Sequence, residues 1–245
     1  HPVGPEVFLC LVFHSANQTE KALRFFRQYT QHAPDEVSAL AFLGIFPEGE
    51  DAYPEDVQGK AFVAFMAVYA GDPEQGEKIT APLREFDSAL LDFSGKMPYV
   101  DVQSILDEDY PAHEMRYYWK SINLMSLSDE SLAVIAEHAS QQPSQYNTTD
   151  LWHIGKGVKM YDHNHSAYNG RQATYLLNPE ANWIKPEADQ ANIHWVRSFL
   201  DEMKPFSDGG LYLNFAGLQE EGDDMMLSAF GPQYERLAAL KAKYD

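Results

Sequence analysis

Apolar and polar positions in the first part of the chain change from a strand period to a helix period and back. The continuous apolar run at 7–13 is typical of a buried strand, and residues 19–33 carry apolar side chains at helical spacing. Two further β-rich runs, 37–46 and 60–69, end in turns, and Pro73 favours the start of a helix. The order strand, helix, strand, strand, helix is that of half a ferredoxin-like unit.

The second part of the chain repeats this theme in its pattern, although no repeat is visible in the residues themselves. We predict helices at 128–140 and 188–203, and strands at 117–124, 151–154, 158–161 and 173–177. Strands connected in this order form antiparallel sheets, with the helices on one face. We therefore expect an α+β fold with a large antiparallel sheet covered on one face by helices, and we treat an internal duplication as a hypothesis.

Charge and composition exclude several classes of function. The 245 residues carry a net charge of -19, which disfavours binding to nucleic acids or anionic membranes. Apolar runs stay far below the roughly 20 residues that cross a bilayer, so we expect a soluble protein, cytoplasmic or secreted. The single cysteine, Cys10, excludes an internal disulfide and is predicted to be a packed apolar thiol.

Three histidines raise the possibility of a metal site. His163 and His165 form a His-x-His pair, and His153 precedes them on a predicted strand. A structural zinc site needs three or four ligands, and no further ligand lies in register with these. The segment is better explained as a polar turn, so we predict no metal.

Four motifs carry a resemblance to a known family. They are Gly-Asp-Pro-Glu-Gln-Gly-Glu at 71–77, Met-Pro-Tyr-Val-Asp-Val-Gln at 97–103, Gly-Gly-Leu-Tyr-Leu-Asn-Phe at 209–215 and Gln-Tyr-Glu-Arg-Leu-Ala-Ala-Leu-Lys at 233–241. In this order and spacing they resemble the FAD-linked oxidases of the berberine bridge enzyme type, in the vanillyl-alcohol oxidase superfamily. The resemblance covers nearly the whole chain.

The resemblance implies that the chain is the second half of an oxidase. Residues 1–205 would form the substrate-binding domain, and residues 206–245 a strand, loop and helix that complete the FAD-binding domain. Most contacts with FAD would come from the other half, which is the expected partner of this chain, supplied by the same or a companion polypeptide. The remaining partners would be a small-molecule substrate and O2.

The C-terminal motifs supply the predicted flavin-facing residues. In the family the strand that contains Tyr212 passes the flavin, so Tyr212 is the candidate catalytic residue, either deprotonating or orienting the substrate. Asn214, Phe215, Gln233 and Tyr234 are the candidate cofactor-binding residues. Tyr212 could equally be an interior strand residue with a satisfied hydroxyl.

A second group of residues is predicted to contact the substrate. Tyr118 and Lys120 would share one strand face, where Lys120 could lower the pKa of a neighbouring phenol, and Gln103 could also face the site. An ordinary half-buried strand explains Tyr118 and Lys120 as well. Met160 stands where plant members of the family place a catalytic glutamate, which excludes a carboxylate base at that position.

Two functions follow as alternatives. The first is the substrate-binding and flavin-facing half of an FAD-dependent oxidoreductase that oxidises an alcohol, a sugar-like hydroxyl or an amine with O2 as acceptor. The second is a flavin-free binding or structural module that retains the fold.

Overall fold

The structure is a computed structural model that describes residues 3–161, 166–207, 209–215 and 223–244. Its strands are β1 (Glu6–Ser15), β2 (Val37–Ile45), β3 (Ala61–Tyr69), β4 (Ala89–Asp92), β5 (Gly95–Pro98), β6 (Arg116–Trp119), β7 (Ile122–Leu124), β8 (Thr148–His153) and β9 (Tyr175–Trp183). Its α-helices are α1 (Thr19–His32), α2 (Pro73–Arg84), α3 (Tyr99–Gln103), α4 (Asp129–Ser140), α5 (Lys156–Lys159), α6 (Asp189–Met203), α7 (Asp223–Phe230) and α8 (Tyr234–Tyr244).

The described strands form one nine-stranded sheet in the order β4-β1-β3-β2-β8-β9-β6, with β5 also paired to β1 and β7 to β9. All the pairs are antiparallel. The unit β1-α1-β2-β3-α2 is followed by β6/β7-α4-β8-β9-α6, which pairs its strands in the same way. The units join through β2 and β8, which hold the same place in each unit and pair antiparallel. The second unit thus repeats the strand order of the first, and an internal duplication stays a hypothesis.

The main core lies between the sheet and the helices. Alternate residues of the strands point to this side, among them Phe65, Leu151 and Leu177, all 0% exposed. Phe26 of α1 and Phe199 of α6 pack against them and are also 0% exposed. Full burial of such a side chain contributes about 2–3 kcal/mol, so this layer provides much of the stability. The predicted antiparallel sheet with helices on one face is confirmed.

The opposite face of the sheet, called the open face below, is covered only by loops and short elements. Over β1 and β3 a smaller cluster of buried residues forms around Phe13, Phe46 and Phe62. Over β8 and β9 the face is lined by polar side chains. A cleft runs between these two regions. Among the described residues, no helix has the length and apolar character needed to cross a membrane.

Three segments differ from the sequence predictions. Residues 158–161 do not form a strand, since Lys156–Lys159 is a single helical turn with exposed glycines and lysines on either side of Val158. Strand β9 continues past Pro179 to Trp183. Pro179 is tolerated because it lies opposite the break between β6 and β7, where its missing N–H removes no ladder bond.

The third difference concerns the segment that contains Tyr212. A strand was predicted here, but Leu213–Phe215 forms a 3₁₀ turn, and the chain reaches it through Gly209 with φ of 85°. The neighbouring strand β7 is short, and its bridge to the tail occurs at Leu124 and Ser207. Beyond that bridge, the side chain of Ser121 accepts the N–H of Tyr212 at 3.0 Å in place of a continuing ladder. Helix α8 begins at Tyr234, as predicted.

Candidate active site on the open face

A cleft of about 870 Å³ lies on the open face, between the sheet and the loops at 45–55 and 105–115. Its apolar wall is built from alternate residues of β1, β2 and β3. The rings of Phe13 and Phe62 meet edge to face with centroids 5.0 Å apart, and Phe13 meets Phe42 at 5.6 Å. Edge-to-face packing fixes these rings in place. The wall is therefore a rigid aromatic surface suited to a flat or apolar ligand.

The other end of the cleft is polar and is built on β8 and β9. Asp150 lies opposite Asn178, and Thr148 lies opposite Glu180, so the two carboxylates are diagonal neighbours on one face. Asp150 is 5% exposed and Glu180 is 3% exposed. The Tyr110 hydroxyl, on the loop above, donates a hydrogen bond of 2.8 Å to Glu180 Oε2. Two buried carboxylates and a phenol thus lie close together on this part of the open face.

Burial determines the protonation of this group. Loss of water raises the pKa of Asp150 to about 7. Burial, and then the charge of Asp150, raises the pKa of Glu180 well above its ordinary value. Burial and then the charge of Glu180 also raise the pKa of Tyr110. Near neutral pH the two carboxyl groups therefore hold a proton between them, and the pair can accept or release one.

Several buried polar atoms on this part of the sheet have no hydrogen-bond partner among the described residues. Four of them are Thr148 Oγ1, Asp150 Oδ1, Trp152 Nε1 and Asn178 Oδ1. All four belong to alternate residues of β8 and β9 that point to the open face. Buried polar atoms are nearly always satisfied, by protein, water or a ligand. These four atoms are therefore available to a water molecule or to a polar ligand on the open face.

The C-terminal segment is attached beside this polar end. Ser207 Oγ donates to the carbonyl of Asn123 at 2.8 Å, and the Asn123 N–H donates to the carbonyl of Gly210 at 2.9 Å. These bonds, with those of Ser121, hold the segment along β7. The tail therefore packs on the edge of the sheet.

Tyr212, Asn214 and Phe215, predicted from the C-terminal motif, come together here. Asn214 Nδ2 donates to the Tyr212 hydroxyl at 2.9 Å, and the rings of Tyr212 and Phe215 are 5.4 Å apart. Phe215 lies 6.0 Å from Trp119, which in turn lies 5.2 Å from Tyr110. Tyr212 is 36% exposed, so part of its side chain is accessible to a ligand. An aromatic chain thus joins Tyr212 to the carboxylate pair.

Gln233 and Tyr234 lie at the start of α8, beyond α7. Gln233 is 9% exposed, and Tyr234 is half-buried. This part of the tail is held by Ser228, whose hydroxyl donates to the carbonyl of Gly209 and whose carbonyl accepts from Asn169 Nδ2 at 3.2 Å. Their contact with a cofactor stays a prediction.

Tyr118 lies on the face opposite to the one expected. It is 2% exposed within the helix-side core, and its hydroxyl accepts a bond of 3.0 Å from Arg197 Nε on α6. Because side chains alternate along a strand, Trp119 faces the open side instead and donates to Asn182 Oδ1 at 2.6 Å. The sequence pattern gave no indication of which side of β6 would face the helices.

The other two predicted substrate residues do not line the cleft. Lys120 follows the end of β6, and its backbone carbonyl accepts from Asn178 Nδ2 at 2.9 Å. Gln103 ends α3 and is exposed. Contacts of these two side chains with a substrate stay predictions.

The sequence analysis missed Tyr110, Asp150 and Glu180. Met160 is 79% exposed on a loop, and the buried carboxylates of the open face, Asp150 and Glu180, come from β8 and β9 instead. A signal was present, since Asn178, Glu180 and Asn182 place polar residues at every second position of an otherwise apolar strand. That pattern indicates a polar strand face.

Of the three histidines considered as metal ligands, the structure describes only His153. His153 is on the helix side of β8, 5.7 Å from the ring of Tyr175. Burial, and then the charges of Lys159 and Lys156, lower its pKa to about 4. His163 and His165 lie outside the described residues.

Comparison with known proteins shows where this fold occurs. No protein-family model matches the chain. Its sequence is 24% identical over 250 residues to an FAD-linked oxidoreductase from Dictyostelium discoideum, covering 100% of this chain and 50% of the relative. Its structure matches the berberine bridge enzyme from Eschscholzia californica with a TM-score of 0.80 at 13% identity, covering 100% of this chain and 54% of that one.

The chain has the fold of berberine bridge enzyme-like oxidases. A chitooligosaccharide oxidase also matches, with a TM-score of 0.73 at 16% identity, covering 98% of this chain and 53% of the oxidase. The chain thus spans about half the length of the curated relative it matches. The predicted resemblance to FAD-linked oxidases of this type is confirmed.

The described residues of the cleft fit one part of FAD better than another. The aromatic wall suits the apolar body of a substrate, and the unpartnered polar atoms of Trp152 and Asn178 suit the polar edge of a flat ring system such as an isoalloxazine. The carboxylates that line the cleft are Glu50, Glu108, Asp109, Glu114 and Asp150, and none of the described lining residues is Lys or Arg. A pyrophosphate would be repelled here. These residues therefore suit the flavin ring and a substrate, and the phosphates require another surface.

Proposed function

We propose that this chain is the substrate-binding and flavin-facing part of an FAD-dependent oxidoreductase that oxidises a small molecule, an alcohol, a sugar-like hydroxyl or an amine, with O2 as acceptor. One observation carries the proposal beyond the fold. Four buried polar atoms without a partner among the described residues, those of Thr148, Asp150, Trp152 and Asn178, lie on the sheet face that the helices leave uncovered. FAD, when bound, supplies the hydride acceptor.

Two groups of this chain can take the proton that the substrate releases. Tyr212 is partly exposed, and the amide of Asn214 donates to its hydroxyl oxygen, which holds the phenol in a fixed orientation. Asp150 lies in the cleft with one oxygen unpartnered and a pKa raised by burial to about 7, a value suited to proton transfer near neutral pH. We assign the proton transfer to Tyr212 and the binding of the polar end of the substrate to Asp150.

The FAD-binding half is the proposed partner of the tail. Helices α7 and α8 expose large apolar side chains: Leu227 at 45%, Leu240 at 43% and Tyr244 at 71%. Burying an exposed leucine contributes about 2 kcal/mol, so a complex in which a partner covers these side chains would be stabilised. In this proposal residues 206–245 complete the flavin-binding domain of that partner.

Reconstitution tests the proposal. This chain is co-expressed with the half of the Dictyostelium relative that it does not match, and bound flavin is measured by visible absorbance. Candidate alcohols, sugars and amines are then screened for flavin reduction by stopped flow. A complex that forms but stays colourless would contradict the proposal and favour a flavin-free binding or structural module.

The role of Tyr212 has its own test in that complex. Tyr212→Phe should slow flavin reduction by about 10²-fold or more, the usual scale for loss of a general base, without loss of bound flavin. Tyr29→Phe is the matched control, because its hydroxyl donates to the Ile79 carbonyl on the helix side, far from the cleft. Equal rates in the two variants would remove Tyr212 from the chemistry.

A further inference from the structure

We infer that the cleft selects a substrate with a protonated amine on an apolar body, in preference to a neutral alcohol or sugar. That the ligand is a substrate rests on the proposed function. The preference for a cation rests on the charge and burial of the cleft residues alone.

The wall of the cleft is acidic. Five carboxylates line it, and among the described lining residues there is no Lys or Arg to neutralise them. Four of the five, Glu50, Glu108, Asp109 and Glu114, lie at the exposed rim. Each rim charge is screened and weak by itself. Together, charges of one sign around a concave apolar surface raise the local concentration of cations.

Below that rim lies a buried carboxylate, Asp150. Asp150 is 5% exposed, and its Oδ1 atom is buried with no hydrogen-bond partner among the described residues. Neighbouring Glu180 already accepts the Tyr110 hydroxyl, whereas Asp150 has the Thr148 hydroxyl beside it and an Oδ1 atom that no described residue satisfies. A buried carboxylate without a partner is costly unless a cation or a donor reaches it.

An ammonium group fits this requirement better than a hydroxyl does. Both can donate a hydrogen bond to Asp150 Oδ1, but only the ammonium also neutralises the charge that Asp150 and Glu180 carry together. The aromatic rings of Tyr110 and Tyr146 line the same end of the cleft and favour a cation near their faces. Phe13, Phe42 and Phe62 then accommodate the apolar body.

The test compares two probes that differ mainly in charge, benzylamine and benzyl alcohol. Their binding to this chain is measured by NMR titration at about pH 8 and low salt, where Asp150 is ionised. We expect benzylamine to bind at least about tenfold more tightly, as for a charge-assisted bond. Added salt should narrow the difference.

Single substitutions test whether Asp150 causes the preference for the amine. Asp150→Asn should lower the affinity for benzylamine at least about tenfold and leave that for benzyl alcohol nearly unchanged. Glu137→Gln is the matched control, an exposed carboxylate on the helix side. Equal or tighter binding of the alcohol, no measurable binding of the amine, or full amine affinity in a folded Asp150→Asn variant would each overturn the inference. The probe comparison in the unmodified chain stands even if that variant fails to fold.

The results of the probe experiments can be distinguished from those that test the proposed function. No probe experiment involves a flavin, whereas the reconstituted complex is judged by bound flavin and its reduction. Amine selectivity in a complex that never binds flavin would contradict the proposed function only. A flavin-bearing complex reduced by neutral alcohols or sugars but not by amines would contradict the cation preference only.

Discussion

Replacing Asp150 with asparagine should change how the stability of this protein depends on pH. Burial raises the pKa of Asp150 from 3.8 to about 7, so the folded protein holds a proton there that the unfolded chain releases at lower pH. Stability linked to this group is greatest below pH 4 and is lost as the pH rises to about 7. Each pKa unit corresponds to about 1.4 kcal/mol, so the full loss is up to about 4 kcal/mol.

Other titratable groups near Asp150 also make the stability depend on pH, so their contributions must be separated from that of Asp150. Glu180 on β9 is its diagonal neighbour and interacts with its charge, and Tyr110, Asp109 and Glu108 lie on the loop above. The raised pKa of Glu180 gives a pH dependence of the same sign, so Asp150→Asn, Glu180→Gln and the double variant should not be additive. The lowered pKa of His153 gives the opposite sign, since its stability contribution is lost as the pH falls from about 6.5 to 4. That contribution cancels when variant and parent are compared.

Urea unfolding at several values between about pH 5 and pH 8 provides the measurement. The parent should lose up to about 1.4 kcal/mol of unfolding free energy per pH unit relative to Asp150→Asn, until the difference levels off above pH 7. The slope decides the question, because any cost of packing the amide is independent of pH. Parallel profiles for parent and variant would refute a raised pKa at Asp150 and, with it, the proton-holding pair.

Three further predictions concern other parts of the molecule. Tyr118→Phe should lower the unfolding free energy by about 1 kcal/mol, through loss of the bond from Arg197, without changing flavin reduction in the complex. Gly76→Ala should destabilise the fold by about 1–3 kcal/mol in urea unfolding despite better helix propensity, because the new Cβ would lie 2.6 Å from Phe8 Cβ. The isolated chain should bind FAD weakly, because the acidic cleft would repel the pyrophosphate. A sub-micromolar dissociation constant measured by flavin fluorescence would contradict this expectation.

Much of the architecture was determined by local patterns in the sequence. Helices α1, α4 and α6 and strands β1, β2 and β3 were predicted within a few residues, because their apolar spacing and bounding turns are strong. Their order implied an antiparallel sheet with helices on one face, and the motifs at 71–77, 97–103 and 209–215 identified the resemblance. The clustering of Tyr212, Asn214 and Phe215 also followed from their closeness in the chain.

The tertiary structure alone decided which faces and which distant residues form the site. A period of two shows that Tyr118 and Trp119 face opposite sides of β6, but only packing against α6 assigns Tyr118 to the helices. The predicted strand at 173–177 continues through Pro179 in the structure, because the break between β6 and β7 leaves no ladder bond for the missing N–H to lose. Asp150 and Glu180 are 30 positions apart, and they meet because the register of β8 against β9 places them diagonally on the same face. That register is set by pairing and burial across the whole sheet, which no local pattern contains.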